Sequence, residues 1–282
     1  MSPLKIEDLI PHPFDYSDYV QEHGMRHLLN DTATDSANYT RRNPGTLKVL
    51  DPQNTTPLPP EYDDLCRLHA ICRNRKVCTV LEFGVGMSTI VLTDAIRRNK
   101  NDHGHYVTSE LRIANPYEIH SVDNYESWIN QAANSMPSEL SDARICHFHL
   151  AKVTMGTFCG RICTYYDPLP ALSPDLIYID GPDQFSALGD IRGVSTRHRD
   201  KMPMAADVLT IEHFLEPGTL IIIDGRTANA RFLAKNLQRD WAYLHVPSWD
   251  HHFFELQESP LGHWNQKKIE YCLGPDFYRR SE

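Results

Sequence analysis

Two aspartates stand directly before glycine where apolar runs end, and this placement suits them to acid–base chemistry. Asp180 follows the run "LIYI" and Asp224 follows "LIII". If both runs are neighbouring parallel strands, their carboxyl ends lie at one edge of the sheet and the two carboxylates share a crevice. A carboxylate there can act as a general base toward a hydroxyl group, or two can hold a divalent cation that lowers the pKa of that hydroxyl. Asp180 and Asp224 are therefore the candidate catalytic residues and the candidate metal ligands.

A glycine-containing loop after an earlier apolar run supplies a second set of candidates. The segment "VCTVLEFGVGMSTIVL" leads through Glu82 to Gly84 and Gly86. The first glycine permits a tight turn with positive φ, and the second lets a ligand approach the backbone without meeting a Cβ atom. The third glycine of the dinucleotide fingerprint is absent, and Glu82 would repel a pyrophosphate. The same acid would attract a cationic ligand such as an adenosyl sulfonium.

A further acid, Asp123, ends the strand-like segment "EIHSVD". A carboxylate at that position can accept hydrogen bonds from the two hydroxyl groups of a ribose. The residues assigned to cofactor binding are Glu82, Gly84, Gly86, Ser88, Asp123, Asn124 and Asp180.

These segments together resemble the class I S-adenosylmethionine (SAM)-dependent methyltransferases, and within them the small-molecule and sugar O-methyltransferases. The resemblance rests on "EFGVGMST", Asp123, "DLIYIDGP" and "LEPGTLIIIDG", and it spans roughly residues 77 to 275. It implies SAM as the cofactor, with Gly84 and Gly86 against the methionyl part and Asp123 at the ribose. Similar metal-dependent enzymes carry a third ligand at the position of Gly225. The resemblance therefore leaves open whether the enzyme uses a Mg²⁺ or Mn²⁺ ion.

Each acid also has an ordinary structural interpretation. Asp123 and Asp224 could cap the helices that follow them, and Asp180 could begin the Asp-Gly-Pro turn. Among the histidines, "HFH" at 147–149 points two rings to one face of a strand, where a metal pair competes with half-buried packing. The "DHHFF" segment adds His251 or His252 as a weaker candidate for a catalytic or substrate contact.

The alternation of strand-like and helix-like segments predicts the fold that positions these residues. From about residue 77 to Asp240 the two kinds of segment alternate, which is typical of parallel strands joined by crossover helices. After Asp240 the short pieces "WAYLHV", "HHFFELQ" and "KKIEYCLG" follow, interpreted as strands with no helix between them. We therefore expect an α/β fold: a doubly wound (Rossmann-like), mostly parallel sheet with an antiparallel C-terminal end.

Residues outside this pattern are assigned to an arm and to two loops. The proline-rich residues 1–60 are expected to form an N-terminal arm, and residues 61–282 the SAM-binding methyltransferase domain. The polar stretch 99–117 is interpreted as an inserted loop near the site that could act as a lid. The link 184–204 is interpreted as a substrate-recognition loop, because long loops in compact domains are usually functional or disordered.

Composition limits the classes of partner. The 282-residue chain has a formal net charge of −9, which argues against a broad nucleic-acid or anionic-membrane surface. Apolar runs are far too short to span a bilayer, and the N-terminus lacks the pattern of a secretory signal. Seven cysteines without a Cys-x-x-Cys pair predict reduced thiols and a cytoplasmic protein. The expected partner is a small-molecule acceptor, and homo-oligomer formation is left open.

Three functions are compatible with these residues. The first is O-methylation of a small molecule such as a sugar, a glycan precursor or a secondary metabolite. The second is an NAD(P)-dependent oxidoreductase on a Rossmann-like sheet, which the missing third glycine and Glu82 disfavour. The third is a non-catalytic scaffold that retains the methyltransferase fold, and acids at three successive strand ends count against it.

Overall fold

The computed structural model describes residues 3–11, 13–28, 61–141, 144–198, 200–275 and 277. Its helices are α1 (Tyr16–Glu22), α2 (Tyr62–Asn74), α3 (Met87–Glu110), α4 (Glu126–Ser135), α5 (Ser138–Ser141), α6 (Asp207–Ile211), α7 (Thr227–Ala234) and α8 (His263–Cys272). Its strands are β1 (Thr79–Phe83), β2 (Glu118–Asp123), β3 (Cys146–Leu150), β4 (Lys152–Phe158), β5 (Arg161–Asp167), β6 (Leu176–Ile179), β7 (Leu220–Asp224), β8 (Trp241–Val246) and β9 (His251–Leu256). Within the described residues, no helix is both long and apolar enough to cross a membrane.

Seven strands form one sheet in the order β3-β2-β1-β6-β7-β9-β8, and β4 pairs with β5 in a separate hairpin. The first five strands of this order are parallel, whereas β9 runs antiparallel to β7 and β8 runs antiparallel to β9. The doubly wound, mostly parallel sheet with an antiparallel C-terminal end is thus confirmed. Its central strands β1, β6 and β7 are covered on both faces, which is why their sequences are mostly apolar.

Alternate side chains of the central strands enter two separate cores. On the first face of the sheet, Val80 and Ile222 pack in one apolar cluster with residues of α2 and α3. On the second face, Leu81 and Ile221 pack with residues of the β4–β5 hairpin, α6 and α7. The two layers hold the sheet between them, so the ends of its parallel strands are fixed relative to one another.

Two segments differ from the sequence-based expectation. The prediction of a loop at 99–117 is wrong for most of that segment, because α3 continues as far as Glu110. Few side chains of this part of α3 are buried, among them Asn99 and Val107. Most of the others are polar and exposed, so the sequence shows no clear helical periodicity of apolar residues. The strand expected at "KKIEYCLG" is wrong as well, since these residues lie mainly in α8, where Ile269 and Cys272 are buried at helical spacing.

The N-terminal residues that the structure describes pack against the main core. Six apolar side chains of this segment are at most 2% exposed: Leu4, Leu9, Ile10, Val20, Met25 and Leu28. The hydroxyl of Tyr19 in α1 lies 2.6 Å from Nδ1 of His69 in α2. Residues 29–60 of the expected arm lie outside the described residues, so a boundary between arm and domain at residue 60 stays a prediction.

Candidate functional site

The candidate site lies where the strand order reverses. The chain runs outward from β1 to β2 and β3 and then returns to β6 on the other side of β1. In an open α/β sheet, ligands bind beyond the carboxyl ends of the strands at such a switch point. The loops that follow β1, β2, β6 and β7 all emerge there.

Gly84 and Gly181 bring two of these loops into direct backbone contact. Gly84 has a φ of +95°, and a Cβ atom on it would lie 2.9 Å from the backbone carbon of Asp180 and the nitrogen of Gly181. A Cβ atom on Gly181 would lie 2.8 Å from the nitrogen of Gly84. Neither position tolerates a side chain without moving backbone, so these glycines fix the spacing between the loops after β1 and β6.

Gly86 has a different environment. Its φ of −171° is an extended conformation open to any residue. A Cβ atom on Gly86 would meet no protein atom within 4 Å. The backbone at Gly86 therefore borders open space at the start of α3, where a ligand can approach the loop closely.

Glu82 lies beneath this loop and is fully buried. One carboxylate oxygen accepts a hydrogen bond from Ser88 at 2.6 Å, and the other accepts from Thr89 at 2.7 Å and from Ser121 at 2.6 Å. Burial raises the pKa of Glu82 to about 7 against the effect of these three hydroxyl groups. In this arrangement Glu82 and Ser88 contact each other and hold the loop from below, and their contact with a cofactor stays a prediction.

Asp123 joins the loop after β2 to the glycine loop. Its carboxylate accepts hydrogen bonds from the backbone N–H of Val85 and that of Tyr125, both at 2.8 Å. Burial raises the pKa of Asp123, and the backbone N–H donors oppose that shift. A carboxylate has about four acceptor sites, and the N–H groups of Val85, Tyr125 and Asn124 act on it, so about one is left for a ribose hydroxyl. Asn124, the next predicted contact, is only half-buried beside it.

A buried tyrosine hydroxyl adds a group that the sequence did not single out. Tyr166 in β5 is 4% exposed, and its hydroxyl has no hydrogen-bond partner among the described residues. The ring stacks on Phe83 at the end of β1, with centroids 5.5 Å apart. The hydroxyl lies close to the position that a Cβ atom of Gly181 would occupy, beneath the switch point. Because buried polar groups are nearly always paired, this hydroxyl is a candidate contact for a ligand.

Asp180 and Asp224 follow adjacent strands and influence each other electrostatically. The Asp180 side chain is 56% exposed, and Nε of Arg226 lies 3.6 Å from its Oδ1. Water thus reaches the carboxylate on one side while protein surrounds the rest. The protein that surrounds the other side of the carboxylate and the charge of Asp224 raise the pKa of Asp180, and Arg226 opposes the shift. Asp224 is 28% exposed and accepts a hydrogen bond from the Tyr178 hydroxyl at 2.9 Å.

His251 and Asp64 complete the acidic side of the crevice. Nδ1 of His251 lies 2.6 Å from the Trp249 carbonyl oxygen, which can only accept, so Nδ1 carries the proton. The lone pair of Nε2 is then directed toward Asp224, whose Oδ1 lies 3.9 Å away. Asp64 Oδ1 lies 3.6 Å from Nδ1 on the other side of the ring. The sequence had offered His251 as a weaker candidate, whereas Asp64 resembled an ordinary acid in the first turn of a helix.

The structure groups Asp224 with Asp64 and His251 as possible metal ligands, and not with Asp180. Asp64, Asp224 and His251 each offer a donor atom within 4.8 Å of the other two, and Asp180 belongs to no such group among the described residues. Arg67 forms an ion pair with Asp64, and a guanidinium also faces Asp180. Arg67 already neutralises Asp64, and Arg226 already neutralises Asp180. Neither Asp64 with Asp224 and His251 nor Asp180 with Asp224 therefore fits a Mg²⁺ or Mn²⁺ ion well.

Comparison with known proteins gives structural neighbours only. No family model and no curated protein matches the sequence. A methyltransferase of Podospora anserina bound to S-adenosylhomocysteine (SAH) is 12% identical with a TM-score of 0.43, and the alignment covers 88% of this chain and 98% of that one. An O-methyltransferase of Streptomyces achromogenes involved in tomaymycin synthesis, in complex with SAM, is 14% identical with a TM-score of 0.37, covering 88% and 91% of the two chains. An O-methyltransferase of Bacillus cereus in complex with SAH is 13% identical with a TM-score of 0.38, covering 86% and 91%.

Proposed function

We propose that this chain is a SAM-dependent methyltransferase that methylates a hydroxyl group of a small molecule. The observation that carries the proposal is the open space over Gly86 at the switch point of the sheet. Asp123 lies on one side of the switch point, and Asp180 and Asp224 follow the strands on the other. This arrangement supports a cofactor against the glycine loop with its reactive group directed toward the two acids.

The residues around Gly86 suit the parts of SAM. The cofactor, when bound, supplies an electrophilic methyl group. The backbone at Gly86 admits the methionyl part, and the remaining acceptor capacity of Asp123 suits a ribose hydroxyl. The unpaired hydroxyl of Tyr166 provides a further polar contact near the same loop.

The acids at the ends of β6 and β7 are assigned to the acceptor. Asp180 is the more exposed of the two, and its raised pKa brings it closer to neutral pH, where a general base is most effective. Asp224 lies deeper and accepts a hydrogen bond from the Tyr178 hydroxyl, with His251 beside it. We assign proton removal from the acceptor hydroxyl to Asp180, and orientation of that hydroxyl to Asp224 and His251. No step is assigned to a metal, whose role the chelation experiment below decides.

Calorimetry with SAH tests cofactor binding without knowledge of the acceptor. The wild type should bind SAH and SAM, and Asp123→Ala should weaken SAH binding by about 1.5 to 3 kcal/mol, the range for hydrogen bonds to a charged group. Asp240→Ala is a matched control, because this exposed acid directly precedes the edge strand β8, away from the loops that follow β1 and β2. Binding of NAD or NADP in place of SAH would favour the oxidoreductase alternative. Unchanged SAH affinity in Asp123→Ala would remove the ribose assignment.

The proposal also covers the acceptor, the recognition loop and the place of action. A sugar, a glycan precursor or a secondary metabolite is the acceptor class, and the segment 184–204 is the recognition loop. The protein is expected to act in the cytoplasm without nucleic acid, and homo-oligomer formation stays open. The seven cysteines, all of which lie in the described part of the chain, form no disulfide bond, which supports a reducing compartment.

A further inference from the structure

A cluster of histidines lies on β2 and the edge strand β3, apart from the crevice. Glu118 and His120 project from one face of β2, and His147 and His149 project from the same face of β3, with His120 directly opposite His147. Because the chain continues from β3 into the β4–β5 hairpin and not into a helix, this end of the second face keeps access to water. His120 is 13% and His147 40% exposed.

Three donor atoms of this cluster converge on one point. Nε2 of His120 lies 3.0 Å from Oε2 of Glu118, and Nε2 of His147 lies 3.9 Å from the same oxygen. The rings of His120 and His147 stack with centroids 4.8 Å apart. Although His147 is partly exposed, its Nε2 is closed to solvent and has no hydrogen-bond partner among the described residues.

Two further residues orient these donors. Nδ1 of His120 lies 3.0 Å from Nε2 of His149, and the Asn115 amide donates to Oε2 of Glu118 at 2.9 Å. If Nδ1 of His120 donates to His149, the Nε2 lone pair of His120 faces the carboxylate, and so does His147. Three lone pairs then face one another, an arrangement that is repulsive until a cation lies between them.

We infer that Glu118, His120 and His147 form a binding site for a divalent transition metal of the zinc type. Two imidazoles and one carboxylate are a common zinc donor set, with water in the fourth position. Donors that share a tetrahedral zinc ion lie roughly 3.4 Å apart, and the two measured separations fall on either side of that value. His149 and Asn115 are the outer contacts that fix the ligands, as second-shell groups do in metal sites.

The charge around this cluster separates it from the group at Asp64, Asp224 and His251. There a guanidinium pairs with Asp64 and competes with any cation. At Glu118, by contrast, the ionisable neighbours that act on the carboxylate are His120 and His147.

The position of the site also separates it from methyl transfer. His120 precedes Asp123 by three residues along β2, about 10 Å, and projects from the opposite face of the sheet. A bound ion would link β2 to the edge strand β3. Its predicted effect is therefore on the stability of this edge and not on the reacting groups.

Titration of the untagged, metal-free protein with Zn²⁺ tests the inference, with a chromophoric chelator as competitor. The wild type should bind about one equivalent, and acid should weaken binding because a protonated imidazole cannot ligate the ion. His147→Asn and Glu118→Gln should each weaken binding about tenfold or more, and His149→Asn should weaken it to a smaller extent. Zn²⁺ should raise the unfolding temperature of the wild type but not that of His147→Asn.

Two control variants locate the bound ion. His245→Asn removes another strand histidine that stacks on a neighbouring imidazole, and it should bind Zn²⁺ like the wild type. Asp224→Asn should also bind normally, because Asp224 belongs only to the other candidate group. The inference is overturned if the wild type binds no Zn²⁺, if folded His147→Asn and Glu118→Gln keep wild-type affinity, or if Asp224→Asn abolishes binding.

Discussion

Gly84 and Gly86 lie two residues apart but are required for different reasons. Gly84 has a positive φ and meets the backbone of the β6 loop, so a side chain there disturbs the fold. Gly86 is extended and faces open space, so a side chain there disturbs only what binds in that space. The two glycines therefore separate stability from ligand binding within a single loop.

The first prediction uses this difference. Gly86→Val should leave the unfolding transition close to that of the wild type and abolish SAH binding, because the new side chain fills the ligand space. Gly84→Ala should lower the free energy of unfolding by roughly 1 to 3 kcal/mol, because it adds strain at positive φ and a backbone clash. Urea denaturation and SAH calorimetry on both variants check this. Normal SAH binding by Gly86→Val would place the ligand elsewhere.

The second prediction concerns the buried carboxylate of Glu82. Its pKa of about 7 in the folded state lies above that of a glutamate in an unfolded chain, so the folded state binds more protons between these values. The stability that Glu82 contributes is therefore full below about pH 4 and is lost as the pH rises through 7, by on the order of 3 kcal/mol. Glu82→Gln should remove this loss between about pH 5 and pH 8.

Denaturation midpoints of wild type and Glu82→Gln across this pH range give the measurement. Asp207→Asn is an independent comparison, since burial also raises the pKa of Asp207 to about 7 and the sign is the same. The two substitutions should flatten the pH dependence additively, because they lie on opposite faces of the sheet. An identical slope in wild type and Glu82→Gln would mean that Glu82 does not titrate in this range.

The third prediction concerns the acids of the crevice. Asp180→Asn and Asp224→Asn should keep their SAH affinity, and at least one of them should lower turnover by on the order of 10² to 10⁴ with an acceptor found by screening. Because its pKa is raised, Asp180 should also cause the wild-type rate to fall as the pH is lowered and the carboxylate protonates.

Chelation separates base catalysis from metal assistance. With a carboxylate base, activity should survive exhaustive chelation, and this is the expected result. Loss of activity with chelator and its recovery with Mg²⁺ or Mn²⁺ would restore the metal hypothesis. Turnover within a few-fold of wild type in both variants would show that the acceptor site lies elsewhere.

At the scale of elements, the sequence predicted best where periodicity and burial coincide. The runs that became β1, β6 and β7 are mostly apolar because both faces are covered, with Glu82 as a buried exception, and such runs are easily assigned. The segment "RICHFHLAKV" has the pattern of a single strand, yet it divides at Ala151 into β3 and the start of the β4–β5 hairpin. Nothing in its alternation marks that division, because both parts are extended.

The candidate site was predictable to a similar degree. Asp123, Asp180 and Asp224 could be placed because each ends a recognisable strand. Asp64 could not, because α2 reaches the crevice only through tertiary packing and its acids match an ordinary first helical turn. The unpaired hydroxyl of Tyr166 depends on how the hairpin lies on the sheet, and this too has no signature in the chain.

The fourth prediction concerns the ion pair that joins α2 to the sheet. Arg75, at the end of α2, is 4% exposed and donates to Glu255 in β9 at 2.6 Å and to the Gly218 carbonyl at 2.7 Å. Arg75→Met should lower the free energy of unfolding by about 3 to 5 kcal/mol, because it leaves a buried carboxylate without its cation. Urea denaturation measures the change. The double variant Arg75→Met with Glu255→Leu should recover a large part of the lost free energy of unfolding. If it does not, the loss in Arg75→Met comes from packing and not from the unpaired carboxylate.

At the scale of the whole molecule, the N-terminal segment that the structure describes shares its core with the sheet. Met25 is fully buried in the same apolar cluster as residues of α2 and α3. The fifth prediction is that Met25→Ala lowers the free energy of unfolding by about 2 to 5 kcal/mol within one cooperative transition. Exposed Met202→Ala is the matched control and should change little. An unaltered main transition in Met25→Ala would show that the segment is an independent arm.

The backbone contact between Gly84 and Gly181 has a consequence for how substrate preference can change. Since neither residue carries a side chain, the loop assigned to the cofactor and the loop that bears Asp180 meet at a fixed separation. Substitutions along 184–198 can then alter which hydroxyl is presented while the distance from methyl donor to base is preserved. A library randomised in that segment should yield variants that exchange one acceptor for another at comparable rates, whereas a displacement at either glycine should slow the reaction with every acceptor at once.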